Sequence, residues 1–295
     1  MRISNNFVTG RLLQQVQDGR RKLFEVQESV GSGMRINRPS DDPTGAGRAM
    51  SIRTTIELTD QFGRAVDVAN SDLTVAESTI TGLSDMLHRA RELAVQAANG
   101  AIGASERQNI ALEVRQLIDQ AVALGNTRYA GRYIFAGHKT NTQPFVPDVP
   151  GNPTTVAYAG DTGLIQREVS RGELVPTNIT GDRVFPQVFA TLIAFRDHLQ
   201  SNSVSLVAAD GDAIAARLES TLELRSELGA KGRRVEVAQG RLGQEETVLR
   251  GLLSTEEDAD LAESIVQLQA RETQLQAALG AAGRALNLSL LEFLR

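Results

Sequence analysis

Few residues in this chain combine the type and spacing that chemistry requires. Asp41 and Asp42 are adjacent carboxylates, an arrangement that can divide acid from base work when the two environments differ. Pro43 follows, however, and an Asp ahead of a proline that opens a helix is explained by capping: the carboxylate accepts a backbone N–H and proline suits the first helical position. Asp42 is therefore read as a helix cap. Glu256, Glu257, Asp258 and Asp260 lack the alternation and central glycine of a calcium loop. They read as the solvated first turn of a helix that begins behind Thr255. His88, His138 and His198 stand 50 and 60 residues apart, with no pair at helical spacing, so no metal ligand is assigned. There is no Cys, which removes thiol catalysis, disulfides and cysteine-held metals together. Gly45-Ala46-Gly47-Arg48 lacks the third glycine and the preceding strand of a dinucleotide loop, and no phosphate loop occurs. The sequence thus predicts no catalytic residue, no cofactor and no enzyme.

Bulk properties narrow the classes further. The 295 residues carry 31 basic and 36 acidic side chains, net −5, which leaves no electrostatic excess for nucleic acid. The basic clusters Arg20-Arg21-Lys22 and Lys231-Gly232-Arg233-Arg234 are short and without interleaved aromatics, so they read as solvated helix faces. Aromatic residues are 4% of the chain and Trp is absent, little material for a conventional pocketed core. No apolar run approaches the length of a membrane span, and Met1-Arg2-Ile3-Ser4-Asn5-Asn6 does not open a cleavable signal peptide.

The elements that must position these residues are mostly helices. Six of the eight prolines lie between Pro144 and Pro186, which leaves the flanks free to be helical. Leu12, Val16, Gly19, Leu23, Val26 and Val30 alternate steps of four and three, the seam of a coiled coil. A helix opening at Asp42-Pro43 places Ile52, Thr59, Val66, Leu73, Ile80, Leu87 and Ala94 at heptad spacing and runs to Asn99-Gly100, a length of roughly 80 Å. A third helix is expected from Ser105, with Ser105 and Gln108 as its capping box. Helical patterning resumes from Pro186 to Leu199, and Ile214, Thr221, Leu228, Val235, Leu242 and Leu249 mark another long helix. The last helix has the seam Leu261, Ile265, Leu268, Glu272, Leu275, Leu279, Ala282, Leu286, Ser289 and Phe293. Between them, residues 141–185 hold short strand-like runs at Thr154–Tyr158, Leu164–Val169 and Leu174–Ile179, the first two separated by the turn signal Ala159-Gly160-Asp161-Thr162-Gly163.

A helix with one apolar stripe needs a partner, and the plainest solution pairs the two chain ends. Charge agrees, with residues 1–50 at +3 and 254–295 at −4. The expected fold class is mainly α: a long coiled-coil or bundle rod made from both ends, with a small β-rich insert in the middle. The expected division is 1–40 with 255–295, a terminal coiled-coil inner domain; 41–140 with 186–254, a helical rod; and 141–185, a small β outer domain.

Gly31-Ser32-Gly33-Met34-Arg35-Ile36-Asn37-Arg38-Pro39-Ser40-Asp41-Asp42-Pro43 resembles the spoke-region loop of the bacterial flagellin superfamily, and the opening residues and C-terminal heptads fit it too. Within that superfamily, Gly131-Arg132-Tyr133-Ile134-Phe135-Ala136-Gly137-His138-Lys139-Thr140-Asn141-Thr142-Gln143-Pro144-Phe145 looks like the hook–filament junction family, hook-associated protein 3. The resemblance implies a structural adaptor at the hook–filament junction on which flagellin polymerises. It implies export through the flagellar type III channel to an extracellular place in the flagellum. The implied partners are like subunits in a ring, the first hook-associated protein, flagellin, and a cytoplasmic export chaperone that guards the C-terminal helix. No membrane and no nucleic acid are expected as partners. Assembly residues would be Leu12, Val16, Leu23, Val26, Val30, Leu261, Ile265, Leu268, Leu275, Leu279, Leu286 and Phe293. Gly131, Tyr133, Phe135 and Phe145 would brace the junction between helices and β insert. The rival readings are a short filament-forming flagellin and, from another class, a cytosolic coiled-coil interaction module.

Overall fold

In a computed structural model, residues 2–293 are described, with side chains for residue 7 and residues 10–284. Leu286 and Phe293 therefore have no described side chain, and the side chains of the opening residues Met1 to Ser4 also lie outside the described set. The chain runs α1 (Arg2–Ser32), α2 (Pro43–Ala97), α3 (Ala104–Gly125), β1 (Arg128–Tyr129), β2 (Arg132–Tyr133), β3 (Phe145–Pro147), β4 (Val156–Tyr158), β5 (Gln166–Ser170), β6 (Glu173–Pro176), α4 (Phe185–Gln200), α5 (Val204–Glu257) and α6 (Leu261–Phe293). It is mainly helical, with long helices from both ends and small antiparallel sheets in the middle. It forms two compact units, residues 59–244 and residues 1–58 with 245–295.

The larger unit is built on the α2 heptads. Val66, Leu73, Ile80, Leu87 and Ala94 are buried, and so are Ala69, Ala76, Leu83, Ala90 and Ala97 three residues after them. Small residues at alternate core positions let the helices approach closely. Ala94 meets α5 at Gly211, where an added Cβ would lie 3.6 Å away. Further along, Asp67 accepts from Gln239 at 3.2 Å, so α5 runs antiparallel to α2. Gly82 against Leu124 and Arg89 against Glu113 give α3 the same relation to α2. On α5, Ile214, Thr221, Leu228, Val235 and Leu242 are buried, as their seven-residue spacing predicted, whereas Leu249, the last of that series, is half-buried.

Two buried arginines hold the loops of this unit. Arg107, 4% exposed, donates to the carbonyls of Ala97 and Asn99 and to Asn202 Oδ1, at 3.0, 3.2 and 2.8 Å. It thereby satisfies the Ala97 carbonyl at the end of α2 and joins the Ile102 N–H on the Asn99 carbonyl. Arg196 does the same for the β3–β4 loop, reaching Pro153 O at 2.6 Å and Asn152 Oδ1 at 3.1 Å. In that loop the Asp148 carboxylate accepts the N–H groups of Val149, Thr154 and Thr155 and the Thr154 hydroxyl. Those donors, the Thr154 hydroxyl foremost, pull its pKa down from 3.8 to about 2. Because the folded value lies below the unfolded one, the ionised carboxylate steadies the loop above the ordinary carboxylate range. The contribution is lost as pH falls through about 2. Protection of the Thr154 and Thr155 amides is expected to persist at about pH 4 and to fall away as the pH drops through about 2 (roughly two units span the titration). Unchanged exchange across that window would refute the role of Asp148.

Two sequence expectations are corrected here. The third helix does not start at Ser105 with Gln108 as box partner. It starts at Ala104, and the Glu106 carboxylate accepts the Gly103 N–H at 3.1 Å, because glycine adopts the extended cap conformation without a side chain of its own. The acidic run 256–258 does not open the last helix. Glu256 and Glu257 close α5, and Asp260 caps α6 by accepting the N–H groups of Ala262 and Glu263 at 2.9 and 3.2 Å. The 159–163 segment separates β4 from β5, as its turn signal predicted, without pairing them. The sheets are β1–β2, β3–β4 and β5–β6, and the turn folds back so that Asp161 N–H reaches Ala136 O while Asp161 Oδ1 accepts from His138 and Gly163.

A candidate assembly surface on the paired chain ends

In the smaller unit α1 packs along α6. On α1 the half-buried residues include Leu12, Val16, Gly19, Leu23, Val26 and Val30, the predicted stripe. Gly19 makes the close approach, since a Cβ there would stand 3.5 Å from Leu275 Cδ1. On α6 the half-buried line is Ser264, Leu268, Arg271, Leu275, Ala278 and Ala282. It shares Leu268, Leu275 and Ala282 with the predicted seam, but not the alternate positions. Leu261, Ile265 and Leu279 are instead 49, 46 and 49% exposed. A rotation of the contact line to one side of the heptad core explains this, because Ala278 and Ser264 allow closer approach than Leu279 and Ile265. The exposed line is continued by Val266, and Phe24 and Leu13 are exposed on α1. Exposed apolar side chains on both helices of the pair are candidates for contact with another protein.

The α1–α2 loop is stapled to the α5–α6 turn by two backbone bonds: Arg35 N–H to Glu257 O at 2.6 Å and Ala259 N–H to Gly33 O at 2.9 Å. Gly33 has φ +73, a conformation that favours glycine. Arginines then hold the acidic end of α5. Arg48 is bidentate to Glu256 at 2.9 and 2.9 Å, Arg53 meets Glu257 at 2.6 Å, and Arg35 reaches both Glu256 O and Asp42. Carboxylates at a helix C-terminus oppose its dipole, and these cations offset that cost. The Arg48 guanidinium keeps Glu256 below the usual carboxylate range. Asp42 accepts the Gly45 N–H at 2.9 Å, and that bond, followed by Arg35, lowers its pKa.

The four residues of the 131–145 segment separate into two groups, both within the larger unit. Gly131, at φ +80, and Ala130, at φ +48, form the two-residue turn of the β1–β2 hairpin. Tyr133 lies under the Arg128 guanidinium, 5.0 Å from it. Phe135 and Phe145 are fully buried elsewhere, in a ring cluster with Phe185, Phe189 and Tyr158 whose centroids lie 5.0–5.9 Å apart. Phe185 and Phe189 were not singled out from the sequence, although their spacing at the start of a helix places both rings on one face. Tyr158 donates to Phe135 O at 2.9 Å, and burial pushes its hydroxyl up to about 12. Arg107 was missed as well; its signal was its position on the α3 stripe, three residues before Ile110. His198 Nδ1 lies 2.8 Å from Asp210, and the His138 ring approaches Leu164 O at 3.2 Å. Among the described residues no group of three or more His, Asp or Glu is placed to hold a metal, and no helix is long and apolar enough to cross a membrane.

Helices from the two chain ends pair with each other, and the strand-containing middle belongs to a unit of its own. The bacterial flagellin N-terminal helical region matches residues 3–140 and the C-terminal helical region matches residues 212–294, and the chain belongs to the bacterial flagellin superfamily. It is similar to flagellar hook-associated protein 3 of Escherichia coli K12, at 28% identity over 217 residues, 73% of this chain and 66% of that protein. The chain thus aligns with slightly less than two thirds of that relative's length. It is also similar to a flagellin of Halalkalibacterium halodurans, at 28% identity over 244 residues, covering 82% of this chain and 80% of that one. The crystal structure of Bacillus cereus FlgL shares the fold, with a TM-score of 0.61 and 24% identity over 69% of this chain and 99% of that one.

Proposed function

We propose that this chain is a structural subunit of the bacterial flagellum that serves as an adaptor at the hook–filament junction, on which flagellin polymerises. The observation that carries the reading is the exposed apolar line Leu261, Ile265 and Leu279 beside a seam that α1 already occupies. Such a line is left for neighbouring subunits: like copies in a ring, a hook-associated protein on one side and flagellin on the other. Before assembly the same line would be covered by a cytoplasmic export chaperone. On this reading residues 1–40 with 255–295 form the inner domain, 41–140 with 186–254 the rod, and 141–185 the outer domain, and the Phe135–Phe145 cluster braces the insert. Its place is outside the cell, reached through the flagellar type III channel. Similarity to hook-associated protein 3 supports the junction over the filament.

A second reading, a short filament-forming flagellin, is favoured by the longer alignment to the Halalkalibacterium flagellin. Immunogold electron microscopy on sheared flagella, with antibody against residues 141–185, separates the two. Label only at the hook–filament boundary is the expected result. Label along the filament overturns the junction assignment, and absence of label from every flagellum points to a cytosolic module. In the isolated chain, α6 amides over 261–284 are expected to exchange much faster than α2 amides over 66–94, since the first face is half open and the second fully buried. Equal protection would remove the argument for an unfilled surface.

A further inference from the structure

We propose that Asn99 is a site of spontaneous covalent modification, converting slowly to an aspartyl or isoaspartyl residue through a cyclic imide with Gly100. Asparagine is among the thermolabile side chains, and Asn99-Gly100 is the sole Asn-Gly step in the chain. The structure supplies what the reaction needs. Both residues are exposed in the turn between α2 and α3. Asn99 Oδ1 accepts the Ala101 N–H at 3.1 Å, which polarises the side-chain carbonyl and turns it toward the backbone that follows. The attacking nitrogen is the Gly100 amide, which donates no hydrogen bond in this turn, and nothing stands within 4 Å of the place where a Cβ would be at Gly100. That nitrogen bonds to Asn99 Cγ and loses its proton, and the side-chain nitrogen leaves as ammonia. Water then opens the imide at either carbonyl, giving the aspartyl or the isoaspartyl product. No oxidant or reductant is needed.

The product differs from the starting residue in a place where the fold is sensitive. Asn99 O accepts from the buried Arg107, whose guanidinium also holds Ala97 O and Asn202. An aspartyl side chain leaves the backbone path unchanged. The isoaspartyl form reroutes it through the side chain, adding one carbon to the turn and taking the Asn99 carbonyl, which accepts from Arg107 and from the Ile102 N–H, off the main path as a free carboxylate. The added carbon misfits a turn built for the shorter path, so the modification acts as a slow, one-way loosening of this end of the larger unit.

The test is incubation of the full-length chain at pH 8.5 and 37 °C (roughly, conditions under which a labile Asn reacts within days to weeks), followed by peptide mapping. A gain of about one mass unit, from NH replaced by O, is expected first in the peptide that contains Asn99, as two products resolved by chromatography. Gly100→Ala is the control: Gly100 is not in the left-handed region and its Cβ site is open, so the variant folds, and the mass gain should fall severalfold. The isoaspartyl fraction should melt below the unmodified chain, whereas Asn99→Asp should not. No mass gain at position 99, or an unchanged rate in Gly100→Ala, overturns the site. Equal melting of the isoaspartyl and unmodified fractions overturns the loosening.

Discussion

Phe145→Ala is expected to destabilise residues 59–244 by about 3–5 kcal/mol, the range for emptying a buried aromatic site. The ring is fully buried and touches Tyr158, Phe185 and Phe189 at centroid separations of 5.1, 5.0 and 5.3 Å. What sets the cost is how far the surroundings can collapse. Here they are held apart: Asn126 accepts the Phe145 N–H at 2.9 Å and donates to its carbonyl at 2.8 Å, which pins the β3 backbone. Gly125 and Gly181 already press on the ring, and a Cβ at either would lie 2.5 or 2.6 Å from it. Their lack of side chains means neither can fill the void. Phe145→Leu should cost less than half as much. Urea unfolding followed by circular dichroism measures both, and a loss under about 1 kcal/mol for Phe145→Ala would show that the cluster is not a brace. Gly125→Ala is a companion change with the opposite sign of volume, and overpacking against Phe145 predicts a loss of about 1–3 kcal/mol.

Leu275→Asp is expected to abolish incorporation into flagella while leaving the melting of residues 59–244 unchanged. Leu275 faces Gly19 across the α1–α6 seam, and glycine there leaves no side chain to pair with a new carboxylate. The leucine is half-buried, so its lost packing alone costs about 2 kcal/mol, the low end for a core leucine. Desolvation of the charge adds to this whenever a neighbouring subunit closes the seam. The comparison variant is Leu279→Asp, at an exposed position. It should leave the isolated pair intact and still block assembly, because on the proposed reading its partner is another subunit. Normal incorporation of Leu279→Asp would mean that the exposed line is bare in the assembled state, and the assembly surface would have to be sought elsewhere.

The same logic governs the staple between the α1–α2 loop and the α5–α6 turn. Glu256→Ala removes the bidentate partner of Arg48 and part of the hold on Arg35. The expected result is faster exchange at Arg35 and Ala259 with no change in α2 from 66 to 94. Arg35 and Arg48 are exposed and Glu256 is half-buried, so salt weakens the staple as the substitution does. Insensitivity of the two amides to both changes would assign the staple to its backbone bonds alone.

The sequence by itself determined the elements whose signal is local and repeated. The α2 line Val66, Leu73, Ile80, Leu87 and Ala94 is buried as its spacing requires, and α5 behaves likewise, because a sustained heptad admits one inward face. Proline placement separated the helical flanks from the strand-containing middle, and the 31–43 and 131–145 motifs pointed to the flagellin superfamily. Wherever two local solutions were equivalent, tertiary structure decided. On α6 the residues Leu268, Leu275 and Ala282 belong to two possible seams, with Ile265 and Leu279 or with Arg271 and Ala278. Burial shows that the second was taken: Arg271 and Ala278 are half-buried, whereas Ile265 and Leu279 stay exposed. Glu256 and Glu257 suit a helix start by their charge, yet they end α5, since Arg48 and Arg53 arrive from more than 200 residues away to neutralise them. Strand pairing followed the same rule. Runs of three to five residues carry too little pattern to choose a neighbour, and β3 was paired with β4 with the ring of Phe145 packed on Tyr158, Phe185 and Phe189, contacts that no local spacing encodes.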